Sequence, residues 1–565
     1  MAGISFMQVA ILLACLAYIL VHRRPDLLFF SNPTYIGTLF QLYVAQFLLW
    51  AVWRVFLWPN FFSPLRKLPS PSGGSRWNGQ FARISSEATG QPHCDWVNTV
   101  PHDGLIRYLG LLNAERLLVA SPKALAEVLT TKSYDFVKPS HVTNGLGKLL
   151  GIGVLLAEGE EHKIQRKNLM PAFAFRHVKD LYPVFWRISK DAVFAMTDHI
   201  TTGAAGDSST DDAGKASLSK DAVVIESGEW ASRATLDIIG IAGMGKDFGA
   251  IRDPDTLLNR TYRTVFKPSK QAQLLGLLGM FLPGWLVSRL PVKRNGDIEK
   301  AVEIIRTTCR QLIRGKKDRL EKNELTDVDI LSVALESGGF SEENLVNQLM
   351  TFLAAGHETT ATAMTWAIYL ICVHPEVQKR LRQEIRDKLP SINEDVDITS
   401  QDIDRMPYLN AVCNEVLRYF SPVPLTIREA AVDTRILNQP VPKGTKIMLV
   451  PWATNKDETL WGPDARRFNP DRWLPREGQT AALSASGGAT SNYAMLTFLH
   501  GPRSCIGQAF AKAEFAILLA AWVGRLSFEL DNEKELDEKN VVIKGGVTAR
   551  PANGMFVKTR VVEGW

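Results

Sequence analysis

The sequence predicts a mainly α-helical fold with small β-sheets, preceded by N-terminal transmembrane or interfacial segments. Three observations carry this expectation. Helical periodicity is longest in the middle of the chain, β-rich pieces are few and short, and charge-free apolar stretches are concentrated before residue 58. Composition agrees: 46% hydrophobic and 22% charged residues over 565 positions describe neither a disordered chain nor a polytopic membrane protein. Lys and Arg number 65 against 59 Asp and Glu, a surplus too small at this length to argue for nucleic acid. Six scattered cysteines with no C-x-x-C pair exclude a disulfide scaffold and most structural zinc sites.

The first element is Ile4 to Val21, free of charge and followed by His22-Arg23-Arg24. Eighteen residues at 1.5 Å rise give about 27 Å, close to a bilayer's hydrocarbon thickness. No basic stretch precedes it and no small-x-small site ends it, so a retained anchor fits better than a cleaved signal peptide. Tyr35 to Trp53 is a second charge-free run, and Trp50, Trp53 and Trp58 suit an interfacial belt. Residues 1–58 therefore read as an anchor whose segments 4–21 and 35–53 span or lie in the interface. Residues 59–74, ending Leu68-Pro69-Ser70-Pro71-Ser72-Gly73-Gly74, read as a hinge, and 75–565 as one globular unit. Within that unit, helices are expected over Glu229–Ala242, Glu299–Lys322, Glu342–Val373 and Tyr408–Phe420. Strands are expected over Leu105–Tyr108, Lys446–Val450 and Met555–Val562. Thr201–Ser219 and Gln479–Asn492 are too poor in apolar residues to order themselves and read as surface loops.

Several chemistries drop out. No Rossmann or Walker glycine pattern and no G-x-S-x-G elbow occurs. His357-Glu358-Thr359-Thr360-Ala361 starts like a zinc-protease helix but lacks its second histidine. The informative segment is Phe498-Leu499-His500-Gly501-Pro502-Arg503-Ser504-Cys505-Ile506-Gly507, with an amphipathic helix after it. One cysteine between two glycines at a loop-to-helix junction suits a metal-ligating thiolate, because backbone N–H groups can approach the sulfur and a helix N-terminus favours negative charge. Its alternative is a buried core cysteine beside a turn.

This segment resembles the haem loop of the cytochrome P450 superfamily, F-x-x-G-x-R-x-C-x-G. The resemblance implies haem b with Cys505 as axial thiolate and metal ligand, Arg503 on a propionate, Phe498 shielding the sulfur, and Gly501 and Gly507 shaping the loop. Such a thiolate favours O–O cleavage. Ala355-Gly356-His357-Glu358-Thr359-Thr360 matches the family's [AG]-G-x-[DE]-T-[TS], which makes Thr359 and Glu358 the catalytic proton-handling pair where O2 binds. Ala355 replaces the glutamate with which some fatty-acid ω-hydroxylases attach haem. Glu415-Val416-Leu417-Arg418 can pair across one helical face, and the resemblance locks it onto Arg472 as a structural triad; Glu303-Ile304-Ile305-Arg306 has the same spacing without that context. Arg428 matches a second propionate position. His162 and Arg166 match the family's W-x-x-x-R, with His162 in place of tryptophan.

By resemblance, substrate contacts come from the loop between Lys138 and Leu156, the helix before Gly356, Val423–Thr426 and the turn at Gly545–Thr548, all largely apolar. Leu274–Leu290 dips into the membrane or forms a buried helix pair. The expected activity is a membrane-anchored monooxygenase acting on a hydrophobic small molecule, a tailoring step of secondary metabolism. The expected partners are membrane lipid, O2 and an NADPH-dependent flavin reductase facing Lys163, Lys167 and Lys512. The expected location is the endoplasmic reticulum with the catalytic domain on the cytosolic face. Two alternatives stay open: a haem-thiolate isomerase or dehydratase without reductase, which Glu358-Thr359 argues against, and a haem-binding membrane protein without turnover.

Overall fold

The computed structural model describes the chain apart from residues 1–5, 25–26, 28–33, 207–221, 267–269, 280–281, 283, 323, 325–328 and 476–483. The helices that position the site are, in chain order, α1 (Phe6–Arg23), α2 (Tyr35–Val52), α3 (Gly159–Leu169), α4 (Tyr182–Gly206), α5 (Ser227–Met244), α6 (Leu257–Phe266), α7 (Lys293–Glu321), α8 (Glu342–Val373), α9 (Pro407–Tyr419) and α10 (Gln508–Arg525). Strands β1 (Leu105–Leu109), β2 (Glu115–Val119), β3 (Phe136–Val137), β4 (Thr426–Ala430) and β5 (Lys446–Leu449) form one sheet in the order β1-β2-β5-β4-β3. Only its β2–β5 pair is parallel. Downstream, β6 (Ile543–Gly545) and β7 (Ala549–Pro551) form a two-stranded hairpin, Gly545 opposite Ala549.

The central element is α8. Ser341 caps it by accepting from the Asn344 amide, Glu342 and Glu343 occupy its first turn, and apolar residues on every side bury it for most of its 32 residues. α5 crosses it so closely that a Cβ on Gly356 would lie 3.0 Å from Ile239. Thr235 of α5 donates to the His357 carbonyl at 3.1 Å, and Thr359 donates to the Ala355 carbonyl at 2.8 Å. Side-chain donors thus load the carbonyls of Ala355 and His357, and the helix continues through this turn.

The triad forms. Glu415 and Arg418 of α9 are fully buried and make two 2.7 Å hydrogen bonds, and Arg472 joins Glu415 at 3.2 Å. The Asn469 amide and the Trp473 indole also donate to Glu415, at 2.8 and 3.0 Å. Arg306, the other spacing match, pairs outside its own helix with Glu343.

At the N-terminus, Tyr35–Phe62 is long and apolar enough to cross a membrane, and Met7–Arg23 is a shorter apolar helix. After α2 the helix widens to i→i+5 bonding over Trp53–Phe62, through Pro59. Residues 59–74, expected as a hinge, lie against the first sheet. Arg107 donates to the Pro59 carbonyl at 2.6 Å, Asn113 to Val55 at 2.9 Å, and Gln80 to Pro71 and Ser72 at 3.2 and 2.9 Å. Leu274–Leu290 takes in the end of one short helix, Lys270–Leu278, and all of another, Gly284–Arg289, with Leu274 and Leu286 exposed. Most of the loop expected over Thr201–Ser219, and residues 479–483 of the other, lie outside the described residues. Lys512 is tucked away, donating to Asn414 at 3.1 Å, whereas Lys163 and Lys167 are exposed.

Candidate active site

Cys505 closes a tight loop immediately before α10. Its amide donates to the Phe498 carbonyl at 2.8 Å, and the Ser504 amide to Gly501 at 3.0 Å. Gly501 has φ +74°, and a Cβ there would sit 2.2 Å from the Leu129 carbonyl oxygen, so both conformation and space require glycine. Gly507 is different. Its φ is −88° and a Cβ would meet only Phe173 at 3.7 Å, so its contribution is the amide it directs to the Cys505 thiol. Burial pushes that thiol up, while the Gly507 amide and the Arg166 charge pull it down. Arg166 of α3 reaches the loop directly, donating to the Ser504 carbonyl at 2.7 Å. Although the body of the protein surrounds Cys505, its own surface is exposed, so it borders an internal space.

A second group gathers around Arg503. Arg503 pairs with Glu158 and donates to the carbonyls of Ser133 and Phe136 at 3.2 and 2.6 Å, while its Nε has no hydrogen-bond partner. Arg428, on β4, is 4% exposed. It donates to the Thr426 hydroxyl and the Ile427 carbonyl, both at 3.0 Å, and makes no ion pair with any described acid. Burial alone drops its pKa to about 10. Lys138 follows β3, its amide donating to Glu158 at 2.8 Å and its ammonium 3.9 Å from the same carboxylate. Burial first, then repulsion from Arg428 and Arg503, holds Lys138 well below the usual lysine range. His162, buried on α3, shares a 3.1 Å hydrogen bond with Tyr134; burial and the charges of Lys138, Arg166 and Arg428 lower its pKa to about 4, so it is neutral. Lys138 and Arg503 therefore share the Glu158 carboxylate, and Arg428 beside them has no acid partner. Basic groups outnumber acids this deep in protein, which suits an anionic partner.

The third group lies on α8. Ala355, Gly356 and Thr359 are only half-buried within an otherwise buried stretch and, at i, i+1 and i+4, share a face. Glu358 points elsewhere. It is 4% exposed, accepts from Thr548 at 3.0 Å and pairs with Arg550 at 3.3 Å, both from the β6–β7 hairpin. The adjacent acid and alcohol therefore have separate partners. Burial raises the Glu358 pKa, with Arg550 and then Thr548 opposing it.

The haem-binding and proton-handling residues named from the sequence thus fall into these groups, and the Glu415–Arg418–Arg472 triad and the three lysines lie outside them. Sequence reading missed Glu158 and Arg550, and named Lys138 only as the edge of a substrate-contact loop. Each is a single charged residue whose role depends on a partner distant in sequence or on a neighbouring strand, and no spacing marks it. Thr548 was read as a substrate contact, and its hydroxyl is bonded to Glu358 instead. Among the described residues no cluster of His, Cys, Asp and Glu could hold a metal by itself.

The sequence profile of cytochrome P450 matches residues 77–556. Cytochrome P450 monooxygenase ALT8 of Alternaria alternata is 47% identical over 561 residues, covering 92% of this chain and 93% of its own. FUM15 of Gibberella moniliformis is 47% identical over 552 residues, with 90% and 91% covered. The monooxygenase sphH of Aspergillus fumigatus is 44% identical over 555 residues, with 96% and 97% covered.

Proposed function

The chain belongs to the cytochrome P450 family and is a monooxygenase, and from that premise we propose that it inserts one oxygen atom of O2 into a hydrophobic organic substrate in a secondary-metabolite tailoring step. The observation that carries the proposal is the buried cluster of Lys138, Arg428 and Arg503, with one carboxylate among them, beside a cysteine loop. Haem b fits it: two propionates match Lys138, Arg428 and Arg503, and the flat ring suits the half-buried face of Ala355, Gly356 and Thr359. Cys505 would ligate the iron, Phe498 would cover the sulfur, and Arg166 would fix the loop through Ser504. His162, neutral and bonded to Tyr134, would serve as a hydrogen-bond donor and not as a cation.

Bound there, haem supplies the activation of O2 and the transfer of one oxygen to a C–H bond. The protein's part is to hold, exclude water and move protons. The half-buried face of α8 leaves room for a small ligand, and Thr359 presents a hydroxyl there whose proton rests on the Ala355 carbonyl. Glu358, one residue earlier, is the acid through which protons pass from the β6–β7 side. Electrons come from an NADPH-dependent flavin reductase that docks on the exposed Lys163 and Lys167 side, and the N-terminal helices hold the domain on the cytosolic face of the endoplasmic reticulum. The relatives' fungal origin and monooxygenase names favour turnover over a reductase-free isomerase.

A carbon-monoxide difference spectrum of the reduced protein, with NADPH consumption alongside reductase, tests the reading. A thiolate-type spectrum and reductase-dependent product are expected, and Cys505→Ala should abolish the spectrum. A normal spectrum with no reductase-dependent turnover on any hydrophobic substrate would favour the isomerase. Retention of the thiolate spectrum by Cys505→Ala would sink the ligand assignment.

A further inference from the structure

Arg550 does more than pair with Glu358. Its second guanidinium nitrogen donates to the carbonyl of Phe266, the last residue of α6, at 3.0 Å. One side chain therefore joins an acid on α8, the end of α6 and the β6–β7 hairpin. The hairpin is held in its turn: the Trp366 indole donates to the Ala549 carbonyl at 2.8 Å, and the Ala549 amide to Pro422 at 2.9 Å. Arg550 thus projects from a fixed strand, while its reach to α6 depends on where that helix ends.

We propose that Arg550, assisted by Thr548, is the positioning residue for Glu358, and that its grip on the Phe266 carbonyl ties the readiness of this acid to the seating of α6. The inference rests on the monooxygenase reading for its catalytic meaning, but the clamp stands on contacts between protein groups alone. When α6 is seated, Arg550 is held at both ends and keeps its charge beside the Glu358 carboxylate, opposing the effect of burial. When α6 lifts, one end of the clamp is lost and Arg550, a third exposed in its side chain, is free to turn toward solvent. The proton path would then be competent only with α6 closed.

Other titratable groups near Glu358 do not supply this control. His357, its neighbour on α8, is buried against Tyr262 and Phe266 with its pKa lowered to about 4, so it is neutral, and burial keeps Tyr262 protonated. Arg550 is the charge that opposes the effect of burial on Glu358.

The sign follows. If the relay needs Glu358 ionised at rest, product formation rises with pH through its pKa. Burial raises that pKa and Arg550 lowers it, so Arg550→Met should move the acid limb of the pH profile upward by about one unit or more. Arg550→Lys, which keeps the charge, should restore most of it, and Thr548→Val should produce a smaller upward shift. The fraction of NADPH electrons ending in product should fall severalfold in Arg550→Met, with peroxide rising in proportion. An independent readout needs no turnover: infrared difference spectra of the holoprotein against Glu358→Gln follow the protonated carboxyl stretch of Glu358 as pH is varied. That titration should move upward in Arg550→Met and return in Arg550→Lys. An Arg550→Met protein with an intact thiolate spectrum but an unmoved carboxyl titration overturns the clamp. If wild-type protein forms no reductase-dependent product while the titration still shifts, the monooxygenase reading fails and the clamp survives.

Discussion

Arg428 is an arginine with carbonyl and hydroxyl partners but no acid, and Lys138 beside it shares its one carboxylate with Arg503. Buried guanidinium and ammonium groups are expensive to desolvate unless something anionic compensates, so their stability should depend on what they bind. We expect Arg428→Met and Lys138→Met each to lower haem content severalfold at equal expression, measured as haem per polypeptide after purification. The apoproteins of both variants should be no less stable to urea than wild-type apoprotein, because Arg428 has no acid partner and the one carboxylate near Lys138 is already paired with Arg503. A variant that retained full haem and lost stability would show that the cation serves the fold and not the cofactor. The contrast between the two residues also explains what was legible. Arg428 stands at a fixed place in Pro424-Leu425-Thr426-Ile427-Arg428 and can be aligned by eye. Lys138 sits alone after a two-residue strand, and only the folded chain brings it to Glu158.

At the scale of elements, the sequence carried more. α8 begins and ends where periodicity places it, and α9 is shifted by one residue at each end, because long apolar helices with a Ser cap or a proline at the first turn announce their limits. α7 begins six residues earlier than expected, at Lys293: its polar first turns carry no apolar period to read. The Glu415–Arg418–Arg472 triad was readable only by context, since Glu303 and Arg306 share the spacing and the fold gives Arg306 a different partner. Glu415 receives five donors, from Arg418 twice and from Arg472, Asn469 and Trp473. Replacing it with Ala leaves Arg418 buried and uncompensated. Breaking one partner of such a pair costs about 3–5 kcal/mol, so Glu415→Ala should lower the urea midpoint strongly or prevent accumulation of folded protein. Arg472→Leu, which removes the more peripheral cation and leaves the Glu415–Arg418 pair whole, should lose less. Equal losses would mean that the three act as one inseparable unit.

The whole molecule raises the question of how the catalytic body sits on its N-terminal helices. Spacing alone left one or two crossings open and suggested a hinge at 59–74. The geometry argues for a stiffer arrangement. α1 packs along α2, with Ala17 and Thr38 buried between them and the Tyr35 hydroxyl 3.4 Å from the Ala14 carbonyl, while Ile11, Leu12, Phe40, Phe47 and Leu48 face outward. Small residues at the contact and large apolar ones outside are the pattern of a helix pair in lipid. Beyond α2, Arg107 and Asn113 hold carbonyls of the same continuous helix, and the Phe56 and Trp77 rings meet edge to face at 4.5 Å, so the body is docked onto these helices. If α2 crosses, α1 packed beside it lies at the same depth and crosses back. Charge opposes and favours this in unequal measure: Arg23 and Arg24 fall on the far side, but Arg54, Arg66 and Lys67 fall on the side of the body. We therefore expect a hairpin, with the N-terminus on the same face as the catalytic body. Glycosylation mapping in microsomes decides it. An acceptor sequon placed in the connection at residues 24–33 should be modified and one added before Met1 should not, whereas the reverse pattern would establish a single crossing by α1, with α2 lying in the interface.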